Sequence, residues 1–379
     1  MESARVLTLA REVGFDDAGI APVALPQHED DLNAWLAAGH HASMAWLERN
    51  AEVRVDLRAR FPWAKSVVVV LRSYRPDPES TPAHGLSRFV SSYARGTDYH
   101  DVLTPRLEGL GERLRAEVPD LDFHAYVDTG PVLERQLAVA AGLGWQGNNT
   151  LLLNALHGSR FFLGVLITSL DLAPTPARVG SCGSCRACQP ACPTGAFVAP
   201  GVLDAGRCIS YLTIEHRGPI PRSIRPAMGQ WLFGCDLCQT SCPFEVGASA
   251  GVAEPAFHAD NAVLGIMLPE LLRLDDEAFR ARFRRTPLWR PKRVGLLRNA
   301  LIVVGNGEHF DCLPPAVELL RDSSEVVREA ASWALARLFS AGSENTRDVI
   351  DALVAARNDE VVDWVADGMD EDLARLHGG

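Results

Sequence analysis

The sequence has no apolar run long enough to cross a bilayer. Its longest, Phe161 to Leu170, is about half the length required. It has no surplus of positive charge either: 48 acidic residues outnumber 37 basic ones, for a formal net charge of −11. Taken whole, that charge argues against a nucleic-acid partner, because phosphate binding calls for clustered Lys and Arg. Residues Met1 to Phe15 mix Arg, Glu and Asp with apolar side chains and carry no basic stretch ahead of an apolar core. No secretory signal is therefore expected, and the reading is of a cytoplasmic monomer with no membrane association. Charged residues (22%) and apolar residues (47%) stand at ordinary levels, which excludes a disordered, collagenous or coiled-coil chain. Cysteine is almost missing outside one segment: eight of the nine lie between Cys182 and Cys242. In a cytosolic chain of 379 residues, with room for two to three domains, such a cluster points to metal rather than to disulfides.

The net charge hides a division. From Glu308 to Gly379 there are 16 acidic and 6 basic residues, which leaves 32 of the acidic and 31 of the basic residues to the rest of the chain. Between Arg280 and Arg298 lie eight basic residues and no acidic one. Charge has to be read by segment, not in bulk.

Residues 1–175 read as an α/β domain. Val6, Leu9, Ala10 and Val13 suit one face of a helix, and the β-branched run Ser66 to Leu71 suits a buried strand. A helix is expected over His100 to Val118 and a strand over Phe123 to Val127. Pro131 is expected to open a second helix as its first residue, with Gly130 as the cap. Two more strands are expected at Thr150 to Leu153 and Phe161 to Leu170, around a turn at His157-Gly158. Residues 176–254 hold too much Cys, Gly and Pro for a core of their own, so metal is expected to hold them. Residues 255–379 read as helical. Ser324-Glu-Val-Val-Arg-Glu-Ala and Asp359-Glu-Val-Val-Asp-Trp-Val recur 35 residues apart, each behind an apolar helix. This is the pattern of HEAT-like repeats, with an ordinary helical bundle as the alternative.

The cysteines run Cys182-x2-Cys185-x2-Cys188-x3-Cys192-Pro193, then Cys208, then Cys235-x2-Cys238-x3-Cys242-Pro243. This is the bacterial ferredoxin spacing, twice, with the second first member displaced by an insertion. In such runs the last cysteine ligates the other cluster. One [4Fe–4S] cluster would then use Cys182, Cys185, Cys188 and Cys242, and the other Cys192, Cys208, Cys235 and Cys238. A pair of four-cysteine zinc sites is the alternative, and it does not account for the repeated order. Cys312 is left over as a structural thiol.

Around these cysteines, Cys208-Ile-Ser-Tyr-Leu-Thr-Ile-Glu215, Val127-Asp-Thr-Gly-Pro-Val-Leu-Glu-Arg135, Gly142-Leu-Gly-Trp-Gln-Gly147 and Tyr93-Ala-Arg-Gly-Thr-Asp-Tyr-His100 resemble the epoxyqueuosine reductase family over nearly the whole chain. The resemblance implies reduction of the epoxide of epoxyqueuosine, at the wobble position of tRNA, to queuosine, the last step in making that nucleoside. It implies a base-off cobalamin in the α/β domain, two [4Fe–4S] clusters, and an external low-potential donor such as ferredoxin or flavodoxin. A corrinoid reductive dehalogenase and a non-catalytic ferredoxin-type carrier are the alternatives.

The resemblance makes Asp128 the proton donor to the opening epoxide, a role that needs a carboxyl pKa raised by poor solvation. A helix-capping Asp is the alternative, but with Pro131 first in the helix the cap falls at Gly130 and Asp128 lies outside it. Glu134 and Arg135 suit either a structural ion pair or the site. Arg54, Tyr93, Arg95, Asp98, Tyr99 and His100, with the turn Gly147, Asn148, Asn149 and Thr150, are the implied cobalamin contacts. His100 is not expected to ligate cobalt, and Asn148 stands where the family pattern has Lys. Ser210, Tyr211, Thr213 and Asp236 adjoin cluster ligands, and would line the corrin or pack against a cluster. Arg284, Arg285, Trp289, Arg290, Lys292, Arg293 and Arg298 interleave cations with an aromatic, as an RNA backbone and an unstacked base require. A solvated basic helix paired with the acidic tail is the alternative.

Overall fold

The computed structural model describes residues 1–75, 85–248, 254–339 and 346–378. The chain divides into two compact units that interleave in sequence. The first holds residues 1–80, 96–206 and 236–258, and the second holds 81–95, 207–235 and 259–379.

The first unit is built on a four-stranded sheet. Its strands are β1 (Asp17–Ala21), β2 (Ser66–Ser73), β3 (Phe123–Tyr126) and, after the two-residue strands β4 (Trp145–Gln146) and β5 (Leu152–Leu153), β6 (Phe161–Thr168). The order is β1-β2-β6-β3, every pair antiparallel. All eight residues of β2 are buried, as its continuous Val-rich run demands. One sheet face carries Val67, Val69, Leu71, Val165 and Ile167 against Leu137, Ala138 and Ala141 of the helix Glu134–Ala140 and its end. The other face meets the helix Tyr99–Glu117: a Cβ at Gly164 would lie 3.0 Å from Val70 and 3.2 Å from Leu107.

Three expectations shift. β1 was not expected, because five residues rich in Ala and Gly carry almost no strand signal. Pro131 does not open a helix. The helix begins at Glu134 with Leu133 as its N-cap, since Thr129 and Val132 donate their amides back two residues, to Val127 and Gly130. The strand expected from Thr150 shrinks to Leu152–Leu153.

The second unit is helical. Lys292–Gly305, Glu325–Leu338 and Asp363–Gly378 pack in succession, and Thr346–Asp359 pairs with the last. Eleven of the fourteen residues of Lys292–Gly305 are buried, which makes it the central helix. The two recurrent segments fall where helices begin, with Ser324 as the N-cap of one and Asp363 as the first residue of the other. Among the described residues, no helix is long and apolar enough to cross a membrane.

Candidate functional site

Four thiols meet in the first unit. Cys182, Cys185, Cys188 and Cys242 line one small cavity, walled by Leu153, Ala187, Pro243 and Phe244 and by the asparagines Asn148 and Asn149. No regular element supplies the first three. They sit in turns, as the composition of the segment implied. The turn Gly147–Thr150 braces them: the Asn148 amide donates to Cys182 Sγ (3.4 Å), Asn148 Nδ2 to the Cys185 carbonyl (2.8 Å), and Asn149 Nδ2 to the Cys238 carbonyl (3.3 Å). Asn148 thus acts as scaffold, its side-chain amide spent on a backbone carbonyl of the cysteine loop. Burial pushes the Cys188 and Cys242 thiols up, and the neighbouring thiolates add to it. A small cavity with four sulfurs, apolar walls and backbone amides directed at Cys182 and Cys242 suits a [4Fe–4S] cluster. Of the other cysteines, Cys192 and Cys238 belong to the first unit, and Cys208 and Cys235 to the second. Cys312 is fully buried and burial pushes its thiol up to about 12, in keeping with a structural thiol.

A second group of residues gathers around Asp128. This residue lies just past β3 with φ of 60°, a left-handed backbone that a non-glycine residue adopts only when its surroundings impose it. Its side chain is exposed. The Tyr99 hydroxyl donates to Asp128 Oδ2 at 2.8 Å, and the Asp128 amide donates to Glu134 Oε1 at 2.7 Å. Tyr99 is itself fixed, stacked on Phe162 (4.3 Å, 11°) and on His100 (4.1 Å, 28°). Asp98 caps the helix Tyr99–Glu117 by accepting from the His100 amide (3.0 Å), and it pairs with His100 Nδ1 at 2.6 Å. His100 Nε2 then lies 3.9 Å from Asp128 Oδ2. Burial works against the charged imidazole, but the hydrogen bond and charge of Asp98 and the charge of Asp128 outweigh it and raise its pKa.

Glu134 is the group in this cluster whose neutral form the surroundings favour. Crowding by protein, then the charge of Asp128, pushes its pKa up to about 8 against the pull of the Asp128 amide, Arg135 and Arg54. Arg54 faces both carboxyls and loses basicity to burial, and its Nε is buried with no hydrogen-bond partner among the described residues.

The remaining candidates divide. Gly147 and Asn149 are buried in the turn, while Thr150, at φ 65°, gives its carbonyl to Arg135 Nη1 at 2.5 Å. Tyr93 and Arg95 belong to the second unit, where Arg95 Nε donates to the Val90 carbonyl (3.0 Å) and Tyr93 packs on Phe233. Ser210 is half-buried, and Tyr211 and Asp236 are buried. Of its two readings, Thr213 suits packing and not corrin contact. It is wholly buried, and its hydroxyl donates to the Ile209 carbonyl (2.7 Å) and accepts from the Gly234 amide (3.0 Å), so it is committed to the chain itself.

The basic block in the second unit separates the same way. Arg284, Arg285, Arg290 and Lys292 are exposed. Lys292 Nζ lies 4.0 Å over the Trp289 ring, and Trp289 stacks on Phe279 at 5.4 Å. Arg290 pairs with Glu215, and Arg293 is mostly buried against Asp322 (2.7 Å) and the Leu274 carbonyl. Arg298 is the clear correction: it is fully buried and donates to the carbonyls of Leu212, His216 and Gly218. A charge count cannot distinguish such a residue from a surface one. Arg217 was missed, being alone in sequence. It lies near Lys292, whose pKa is lowered by desolvation, then by Arg217 and Arg290.

Comparison with known proteins places these features in context. A family model described as "4Fe-4S double cluster binding domain" matches residues 181–245, and one described as "Epoxyqueuosine reductase QueG, DUF1730" matches residues 54–129. The epoxyqueuosine reductase of Xanthomonas campestris is 40% identical over 340 residues, covering 88% of this chain and 96% of that protein. That of Pseudomonas aeruginosa is 41% identical over 338 residues, covering 86% and 92%. Among solved structures, an epoxyqueuosine reductase bound to a tRNA-Tyr stem loop carrying epoxyqueuosine superposes with a TM-score of 0.90 at 28% identity, covering 99% of this chain and 98% of the other. The enzyme from Bacillus subtilis, in a form with its aspartate-bearing catalytic loop swung out of the active site, gives 0.89 at 27%, covering 98% of each chain.

Proposed function

The chain belongs to the epoxyqueuosine reductase family and is an oxidoreductase, and on that premise we propose that it reduces epoxyqueuosine in tRNA to queuosine with Asp128 as the proton donor. Membership replaces the dehalogenase and electron-carrier alternatives. We further propose the division into an α/β cobalamin-binding domain (1–175), a two-cluster domain (176–254) and a HEAT-like, tRNA-binding domain (255–379).

Turning an epoxide into an alkene and water consumes two electrons and two protons. Two [4Fe–4S] clusters and a base-off cobalamin, fed by a ferredoxin or flavodoxin, supply the low-potential electrons when bound. Cys182, Cys185, Cys188 and Cys242 would hold one cluster, and Cys192, Cys208, Cys235 and Cys238 the other. The unpartnered buried Nε of Arg54 is a donor fit for a ligand decorated with amides and a phosphate. Asp98, Tyr99, His100 and the Gly147–Thr150 turn would share that task, as would Tyr93, Arg95, Ser210, Tyr211 and Asp236 by family resemblance.

The observation that carries the reading is the posture of Asp128. An exposed carboxyl is fixed in a left-handed loop by a tyrosine on its oxygen and a glutamate on its amide. The side chain is exposed in this structure, so a ligand seated over it would have to supply the poor solvation that keeps a proton on it, and a group so placed could then give that proton to an oxygen brought against it. Tyr99 orients the carboxyl, and His100, held by Asp98, faces the same oxygen and is the nearest group able to reprotonate it. Arg284, Arg285, Arg290 and Lys292 around Trp289, joined by Arg217, offer the tRNA a positive, aromatic surface. The test is turnover of an epoxyqueuosine-bearing stem loop by Asp128→Asn. Retained iron and corrinoid with loss of turnover are expected. Wild-type turnover would remove Asp128 as the donor.

A further inference from the structure

The contact between Glu134 and the Asp128 amide has a counterpart at the next residue, Arg135, and the pair reaches further than the placing of one carboxyl. Among the described residues, four non-glycine residues have a left-handed backbone: Ala42, Asp128, Thr150 and Lys292. Two of them are tied to the start of one helix. Glu134 Oε1 accepts from the Asp128 amide at 2.7 Å, and Arg135 Nη1 donates to the Thr150 carbonyl at 2.5 Å, with Thr150 Oγ1 3.3 Å away. A left-handed residue costs about 1–3 kcal/mol and persists only where neighbours over-determine it. Here the neighbours are two side chains one residue apart, on a helix whose other face is sealed into the sheet core through Leu137 and Ala138.

We infer that Glu134 is a positioning residue, a latch on the sheet-anchored helix that holds the Asp128 loop in its working conformation by accepting the Asp128 amide. The inference rests on the proposed role of Asp128. The latch needs an acceptor oxygen but no charge. An ionised carboxyl accepts the amide hydrogen more strongly, but burial and the nearby Asp128 carboxyl weigh against its charge, and the neutral form is the one they favour. The charged groups facing Glu134 are Asp128 from the preceding loop, Arg135 beside it on the helix, and Arg54 from the helix Ala51–Val55; His100 faces Asp128 in turn. The raised pKa of Glu134 fixes the sign. Its contribution to the closed loop is complete at acid pH and declines as pH rises through about 8.

Glu134→Ala and Glu134→Gln in the holoenzyme separate the possibilities. Glu134→Ala should lower kcat on the epoxyqueuosine stem loop by roughly tenfold, with KM little changed, and speed amide exchange at Asp128 and Thr129 by roughly three- to tenfold. Glu134→Gln keeps an acceptor oxygen and no charge, so it should restore both readouts and abolish the alkaline loosening of the loop. Unchanged exchange at Asp128 in Glu134→Ala, or a Glu134→Gln variant as impaired as Glu134→Ala, overturns the latch. The exchange readout does not depend on chemistry. If Asp128→Asn kept full turnover, the donor assignment would fall, while exchange in the Glu134 variants would still decide the latch.

Discussion

Replacing Arg298 by alanine tests whether the basic block has been divided correctly into surface and interior. Arg298 and Asn299 stand in the middle of the central helix Lys292–Gly305, where every neighbour is buried. Arg298 donates to the carbonyls of Leu212 (2.8 Å), His216 (2.9 Å) and Gly218 (2.7 Å), and to Asn299 Oδ1 (2.8 Å). Asn299 Nδ2 donates to the carbonyls of Thr213 (2.8 Å) and Leu232 (3.0 Å). The carbonyls from Leu212 to Gly218 lie at and just beyond the end of the helix Ile209–Ile214, where backbone carbonyls run out of helical donors. Burial pulls the Arg298 pKa down to about 9, which still leaves it charged at neutral pH. Alanine would strand the buried Leu212 carbonyl and the half-buried carbonyls of His216 and Gly218, and leave a cavity in the middle of the unit. At roughly 1–3 kcal/mol per orphaned acceptor, with the two half-buried ones near the low end, the loss is about 3–5 kcal/mol. At roughly 2–4 °C per kcal/mol, the second unit should then melt about 6–20 °C earlier. Calorimetry or denaturant unfolding measures this, with stem-loop affinity of the remaining folded fraction as the control. A variant of wild-type stability that loses only RNA affinity would refute the assignment and return Arg298 to the surface.

Other outcomes follow from the same geometry. Neutralising Arg284, Arg285, Arg290 and Lys292 together should leave stability within about 1 kcal/mol of wild type. It should weaken stem-loop binding and flatten its salt dependence by roughly 0.7–0.9 in log–log slope for each phosphate no longer engaged; an unchanged slope places the RNA elsewhere. Cys242→Ser should cut iron from about eight to about four per chain after anaerobic reconstitution, since it removes one ligand of one cluster, and two zinc ions in the wild type would replace the cluster assignment altogether. The His100 imidazole should titrate above the usual 6.5, because its pairing with Asp98 is complete below that pH and lost as pH rises through the raised value. Asp98→Asn should bring the midpoint down, and an NMR titration in which it does not move would contradict the pairing.

What could be read from the sequence was what chemistry fixes by local spacing. Three thiols two residues apart must share a loop whatever the fold, and Asp128 next to Gly130-Pro131 reads as the end of a strand. Helix boundaries set by backbone detail could not be read. Pro131 is a fair first-turn residue, yet the chain spends Gly130 to Leu133 on short-range turns, and a Cβ at Gly130 would strike the Tyr126 ring at 2.5 Å. Burial of charge was the other blind spot. The same eight cations read as one surface, and only packing separates Lys292 over Trp289 from Arg298 among carbonyls.

That separation also revises the meaning of the bulk charge of −11. Part of the acidic excess in the last 72 residues neutralises cations inside the second unit instead of facing solvent. Glu329 accepts from Arg222 and Arg225, Asp372 from Arg222 and Ser332, Glu360 from Arg328, and Asp322 from Arg293. Glu329, Asp372, Glu360 and Asp322 have side chains no more than 6% exposed, so their charge is compensated at contact distance and casts little field outside. Arg217, Arg284, Arg285, Arg290 and Lys292 keep most of their field, with Glu215 partnering one of them. Lys292 is where the crowding registers, its pKa lowered by burial and by Arg217 and Arg290. Cations that depress one another in the free protein are relieved by an anion set between them. An acidic protein can therefore present a phosphate-seeking surface, provided its carboxylates are used up on buried arginines.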